Sequence, residues 1–298
     1  FNTVDPFKNY TINTKALFDL SDKISLSTSG RLFNQKQDYV ASSELSGEST
    51  IDEWNISLKA DHIANKKWEN SIELYKTNYY TEEYLNTANG SNYSNSYYDH
   101  NLIHSEIKSI YKPKNNQTYV FGLGYNNETL ERTYFTTKPE FKSPYAYIQY
   151  DFNPKENLNI IVGGRYDNHN KYKSQFSPKS AVRYELNDKI SIKTSLGYGY
   201  KAPDFRQLYF NFTNATVGYT VLVYNAVSEV LPQLVNEGQI ANIVVPLSEF
   251  NDKIKGDGIL NSNNLPVLLK YIFRILFLFI FLFSNSKSKD WPNASPLY

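Results

Sequence analysis

Two residue types are missing altogether: the 298-residue chain contains neither cysteine nor methionine. Without thiols it has no disulfide framework, no Cys-ligated metal and no thiol nucleophile. An excess of charge of one sign is missing too. Its 31 basic residues are matched by 30 acidic ones, so the balance calls for no nucleic-acid partner. No phosphate loop and no paired-carboxylate signature stands out, so neither an enzyme nor a cofactor is implied. The start, Phe1-Asn2-Thr3, lacks an initiator, a basic n-region and an apolar h-region. We expect either a leader already removed or a start inside a longer gene, and neither bears on the compartment. Long apolar runs are absent before the tail, and a mean hydropathy of −0.53 rules out a bundle of membrane helices. A membrane barrel stays open, because its strands alternate apolar and polar residues.

Aromatics are abundant, with 26 Tyr and 18 Phe. They suit strands and supply the girdles at both interfaces of membrane barrels. From Tyr10 to Tyr200 the pattern has period two. Ile190, Ile192, Leu196, Tyr198 and Tyr200 share one face, and Ser191, Lys193, Ser195, Gly197 and Gly199 share the other. The same reading places strands near Tyr10–Leu20, Lys23–Phe33, Glu53–His62, Trp68–Tyr79, Leu102–Tyr111, Thr118–Thr129, Tyr145–Phe152, Leu158–Asp167, Lys179–Leu186 and Lys189–Tyr200. That makes about ten strands of roughly 8–12 residues, the length that crosses hydrocarbon when tilted. Short Asn/Asp/Pro/Lys turns, such as Ser21-Asp22 and Asn187-Asp188, alternate with longer polar stretches. Asn34–Asp52, Tyr80–Asn101, Leu130–Pro144 and Asn168–Pro178 are read as loops. Membrane barrels sort their connections this way, short on the periplasmic side and long outside.

Three segments occur in order: Gly163-Gly164-Arg165-Tyr166-Asp167; then Phe176-Ser177-Pro178-Lys179 with Ala181-Val182-Arg183-Tyr184; then Gly197-Tyr198-Gly199-Tyr200-Lys201-Ala202-Pro203-Asp204-Phe205 before Gln207-Leu208-Tyr209. The succession resembles the barrel of TonB-dependent outer-membrane receptors, the siderophore, haem and cobalamin uptake family. The motifs span Leu158 to Tyr209, and the strand pattern extends the resemblance back to Tyr10. The resemblance implies an all-β fold, a transmembrane antiparallel up-and-down β-barrel. Here it is incomplete, about ten strands where the family has roughly 22 around a plug. Residues 1–254 are read as partial barrel, with 202–254 as one long external loop. Glycines on the inward face leave room for whatever fills the lumen. No plug segment or TonB-binding box is identified, so the chain is expected to be a truncated gene product or part of a longer sequence, not a working transporter by itself.

By resemblance, the function is uptake of a scarce nutrient across a Gram-negative outer membrane, most simply a ferric siderophore, with haem or cobalamin as other ligands. An inner-membrane TonB complex and outer-membrane lipid are the partners implied. Ligand contacts in that family come from external loops, which points to Arg165, Arg206, Tyr209, Phe210, Phe212 and Tyr219. Guanidinium groups suit an anionic chelate and aromatics a planar one. The competing reading puts the aromatics in an interfacial girdle and Arg165 in a lumenal charge network. His100 and His104 share a strand face about 13 Å apart, too far for one metal. Two other functions stay open. One is a smaller complete porin-like barrel, or a protease barrel using Asp99, His100, Asp167 and His169. The other is a soluble extracellular β-rich binding module.

The tail, 255–298, differs from everything before it. Leu265–Phe283 is almost all Leu, Ile and Phe, interrupted by Lys270 and Arg274, and the alternation is gone. A helical anchor would hold those two charges inside the span at roughly 2.5–3.5 kcal/mol each near its centre. We expect the tail to be read out of frame. The nucleotide sequence in one of the other two frames should then give an alternating, Tyr/Gly-rich continuation; two frames without one refute the idea.

Overall fold

The computed structural model describes residues 5–214 and 219–238. Ten consecutive strands form one antiparallel sheet in the order of the chain. They are β1 (Phe7–Ser21), β2 (Ile24–Val40), β3 (Leu45–Asn65), β4 (Trp68–Thr87), β5 (Asn92–Lys114), β6 (Gln117–Arg132), β7 (Glu140–Lys155), β8 (Leu158–Asp167), β9 (Gln175–Asn187) and β10 (Ile190–Gly197). Among the described residues β1 does not pair with β10, so the sheet is an open up-and-down meander. Helix α1 (Phe205–Tyr209), the hairpin β11 (Asn211–Asn214) and β12 (Tyr219–Leu222), and helix α2 (Tyr224–Asn236) follow. The tail, 255–298, lies outside the described residues.

Every expected strand is present, but several run past their expected ends. The stretches Asn34–Asp52 and Tyr80–Asn101, read as loops, are mostly ladder. Gln35 pairs with Ile51, Val40 with Ser46, and Glu83 with Ser96. β5 has 23 residues, about 75 Å at the rise of an extended strand, whereas about 9–11 residues cross a bilayer. The reason is physical. Past the apolar band neither face meets an apolar medium, so the alternation fades while backbone pairing continues through Tyr, Thr and Ser.

The register carries one apolar row across nine strands: Phe18, Leu26, Ala60, Ile72, Ile107, Leu123, Ala146, Tyr166 and Phe176 are successive cross-strand partners. These side chains are conspicuously uncovered, with Leu123 65% and Ile107 56% exposed. An apolar face this extensive needs an apolar medium or a partner against it. At the short-turn end an aromatic row crosses the same face. Trp68 stacks on Tyr111 with ring centres 4.3 Å apart, and Tyr119 on Tyr150 at 4.5 Å. Ile192 pairs with Tyr184 on this face and Lys193 with Arg183 on the other, as their alternation requires.

The opposite face is polar and, unusually for an open sheet, contains the buried groups. Glu106 is 5% exposed, Tyr145 4% and Tyr147 4%. The Tyr145 hydroxyl donates to Glu106 Oε2 at 2.7 Å and the Tyr147 hydroxyl to Oε1 at 3.1 Å. Both rings lie flat over β6 because their partners there are glycines. A Cβ on Gly122 would sit 2.6 Å from the Tyr147 ring, and one on Gly124 would sit 2.1 Å from that of Tyr145. Sequence reasoning assigned lumenal room to the motif glycines instead. Gly164 departs from it: it sits on the apolar face, and the Phe176 ring lies 2.6 Å from where its Cβ would be.

Four prolines lie inside strands without breaking the sheet: Pro113 and Pro154 stand one residue from the end of β5 and β7, and Pro144 and Pro178 lie further in. In an antiparallel ladder a residue's N–H and C=O point to the same neighbour. The Pro144 carbonyl accepts from Asn168 N–H and the Pro178 carbonyl from Tyr198 N–H, each just past the end of the adjacent strand. The missing N–H therefore faces a strand that has already stopped.

Gly124→Ala should lower folding stability by about 1–3 kcal/mol through overpacking against Tyr145. Gly199→Ala, whose Cβ meets nothing within 4 Å, should be neutral or slightly stabilising. Urea unfolding of the full-length protein in detergent checks the pair; equal midpoints would rule out the ring-over-glycine packing.

Candidate functional site

Residues 202–214 and 219–238 lie over the polar face at the long-connection end, and the Lys201-Ala202-Pro203 motif leads into them. β10 ends at Gly197, before the motif. The Pro203 carbonyl accepts from the Tyr172 hydroxyl at 3.1 Å. Asp204 caps α1, accepting from Gln207 N–H at 2.8 Å, while Gln207 Oε1 accepts from Asp204 N–H at 3.1 Å. This reciprocal cap starts a helix of only five residues. It aims Phe205, 2% exposed, into a cluster with Leu130 and Phe141. Phe205 stacks on Phe141 at 3.9 Å, and His100 meets it edge-on at 5.5 Å. α2 is held by the β6–β7 connection. Glu229 accepts from Thr136 N–H and the Thr137 hydroxyl, and Gln233 donates to the Tyr134 carbonyl at 2.6 Å. Tyr134 takes a left-handed φ of 70° there.

Between this cover and the sheet lies a cavity of about 880 Å³. Its sheet side includes Tyr39, Tyr79, Glu83, Tyr98 and His100; its cover includes Arg206, Phe210 and Phe212; Arg132 stands at the junction. The chemistry is aromatic and cationic. Arg132 Nη1 and Nη2 donate to the carbonyls of Tyr209 and Asn211, both at 3.1 Å. Burial pushes this guanidinium down to about 10, against a small opposing pull from Tyr98, so it is charged at neutral pH. Burial likewise raises the Glu83 carboxyl, which makes this lining acid easier to neutralise.

Of the six residues expected to contact ligand, Arg206, Phe210 and Phe212 line the cavity. Tyr209 packs on the Phe205 cluster. Tyr219 lies edge-on to Phe212 at 6.4 Å, outside the lining. Arg165 is elsewhere. On β8 its Nε donates to both Asp167 oxygens, at 2.9 and 3.0 Å, and its guanidinium lies 3.7 Å over the Tyr145 ring. Arg165 is thus engaged by a carboxylate on its own strand and by a ring on β7. The sequence does not single out Arg132, Tyr98 or Tyr79: the first two fall in stretches read as loops, and Tyr79 ends an expected strand, with no motif at any of them. The protease pairing finds no geometric basis. Asp99 and His100 are successive on β5 and so point to opposite faces, and Asp167 is engaged by Arg165. His100 lies 3.2 Å from Glu128, and His104 Nδ1 lies 2.7 Å from Asn126 Oδ1.

An up-and-down sheet with one apolar face, one polar face and a covered cavity at its long-connection end has the architecture of a barrel wall. Residues 2–234 match the family model "TonB dependent receptor-like, beta-barrel", and the chain belongs to that family. The family is one of outer-membrane transport receptors. The match gives no support to a smaller porin-like or protease barrel, or to a soluble binding module. A probable TonB-dependent siderophore receptor, PirA, of Acinetobacter baumannii is 29% identical over 86 residues, 29% of this chain and 11% of that protein. The crystal structure of the siderophore receptor PirA from Acinetobacter baumannii superposes with a TM-score of 0.53 at 15% identity, over 68% of this chain and 35% of that one. A mutant of the ferric enterobactin receptor PfeA from Pseudomonas aeruginosa gives 0.56 at 12% identity, over 70% and 36%. At these identities the likeness is one of fold. The chain spans little more than a third of the solved relatives' length.

Phe205→Ala should undock α1 while leaving the sheet folded, since truncating a buried Phe costs about 3–5 kcal/mol. Amide hydrogen exchange checks this: residues 205–210 should lose protection and β6 should keep it. Retained protection at 205–210 would mean that something other than Phe205 anchors the cover.

Proposed function

We propose that this chain supplies part of the wall and part of the outer ligand-receiving surface of a receptor that imports an anionic ferric chelate, a siderophore, across the outer membrane. The cavity carries the reading. Two guanidinium groups, from Arg132 and Arg206, stand among tyrosine and phenylalanine rings at the long-connection end of the sheet. Such a lining favours an anion with aromatic or otherwise planar faces, as in a ferric catecholate. The apolar outer row and the aromatic row at the short-turn end are consistent with lipid on that side. The names of similar proteins speak of siderophore and ferric enterobactin, which fits the same class. An inner-membrane TonB complex is the partner that would supply the energy. Haem and cobalamin are the other cargoes that the test should separate.

In a full-length receptor expressed in an iron-starved, siderophore-deficient strain, growth on one ferric chelate should depend on both the receptor and TonB. Arg206→Ala should weaken uptake about 10–100-fold, the value of one charge-assisted contact at roughly 1.5–3 kcal/mol. Growth on haem or cobalamin alone would reassign the cargo, and uptake without TonB would point to passive diffusion.

A further inference from the structure

The guanidinium of Arg132 occupies an unusual electrostatic position. It is the last residue of β6 and pairs across the ladder with Tyr98. Its two terminal nitrogens fork onto the carbonyls of Tyr209 and Asn211, which flank Phe210. Tyr98 and Phe135 lie under its charge at 5.9 and 5.6 Å. Its Nε is buried without a hydrogen-bond partner. Among the described residues its hydrogen-bond partners are these two carbonyls, with no carboxylate in contact. A half-buried cation is thus neutralised by two neutral dipoles and two ring faces, at the edge of a cavity it helps to line.

We propose that Arg132 is the clamp that holds the α1–β11 segment against the cavity in the ligand-free receptor, and that an anionic ligand takes the guanidinium over from the two carbonyls. The inference rests on the preceding reading that the cavity receives an anion. A charged acceptor makes shorter and stronger hydrogen bonds to guanidinium than a peptide carbonyl does, so an anion in the cavity outcompetes the existing partners. The planar fork is matched to two acceptors at once, which an ammonium group cannot reproduce. Release is confined to one side of the segment. Phe205 remains stacked on Phe141, while Phe212, 43% exposed, is tied to β12 through its pairing with Val221 and its contact with the Tyr219 ring, so it shifts together with the hairpin. Arrival of the ligand is thereby converted into movement of residues 209–212 and of the Phe210 ring between the two released carbonyls. Arg132 is in this sense a positioning residue that also selects for charge.

The test uses the full-length receptor in detergent, with ferric enterobactin, a tris-catecholate anion, as probe and a neutral ferric tris-hydroxamate as control. In the ligand-free protein, Arg132→Gln should speed amide exchange at residues 207–212 at least tenfold and leave Tyr119–Tyr125 of β6 unchanged. Arg132→Lys should show the same fast exchange, since the fork is lost, yet bind the probe within a few-fold of wild type, since the charge is kept. Arg132→Gln should bind it at least tenfold more weakly. In wild type the probe should speed exchange at 207–212 and the neutral chelate should not. Unchanged ligand-free exchange in Arg132→Gln overturns the clamp, whether or not any probe binds. Probe binding that leaves wild-type exchange unaltered overturns the hand-over. No probe binding by wild type overturns the ferric-catecholate reading and the hand-over together, while the ligand-free comparison still decides the clamp.

Discussion

Register is the constraint on which everything else in this sheet depends. Because side chains alternate with a period of two, a slip of one residue between any neighbouring strands would exchange the apolar row for the polar one. The row from Phe18 to Phe176 and the buried set around Glu106 are two consequences of one set of pairings. The polar face adds its own lock. The rings of Tyr145 and Tyr147 need the bare backbone of Gly124 and Gly122 beneath them, and their hydroxyls need Glu106 on β5. Three strands are thus fixed relative to one another by shape as well as by hydrogen bonds. A carboxylate with two phenol donors is satisfied where an isolated one would be costly.

The cover at the other end is built on different physics. Its α1 has only five residues and its β11 and β12 only four each, so it borrows order from the sheet. Phe205 is received by Phe141 and Leu130, and the α2 side chains Ala226, Val230 and Leu234 are received by Tyr134 and Phe135. Both sets of receiving residues lie on or beside the β6–β7 connection. That connection is the platform on which the cover is assembled, and Arg132 sits at its start. A segment attached at a few points can shift at one of them while another holds, which a continuous interface does not permit.

The sequence reveals the strands because hydrocarbon-facing positions must be apolar and their neighbours need not be; that asymmetry is a strong periodic signal. It stops where the asymmetry stops. Tyr80–Asn101 reads as loop because both faces of that hairpin are polar, though its backbone pairs almost to the tip. The reciprocal cap of α1 was readable as Asp204 followed three residues later by Gln207. So was the pairing of two glycines spaced by two on one strand with two tyrosines spaced by two on the next. Neither Arg132 nor Tyr98 carried a comparable signal. Their significance comes from contacts with residues about 80 and 30 positions away in the chain, and no local pattern encodes such contacts.

Arg165 and Arg132 show why residue type alone cannot nominate a ligand-binding group. Both are partly buried arginines near aromatic rings, and the family resemblance draws attention to the first. Yet Arg165 already holds a carboxylate through paired hydrogen bonds with Asp167, and its guanidinium is pressed onto Tyr145. An incoming anion would have to displace a charge-assisted pair and leave Asp167 buried without its partner, a penalty that the new hydrogen bonds to the anion do not offset. At Arg132 the same anion would displace two neutral carbonyls, a smaller loss than that of a charge-assisted pair. Among similar side chains, the one whose present partners are weaker than the ligand is the one free to respond to it.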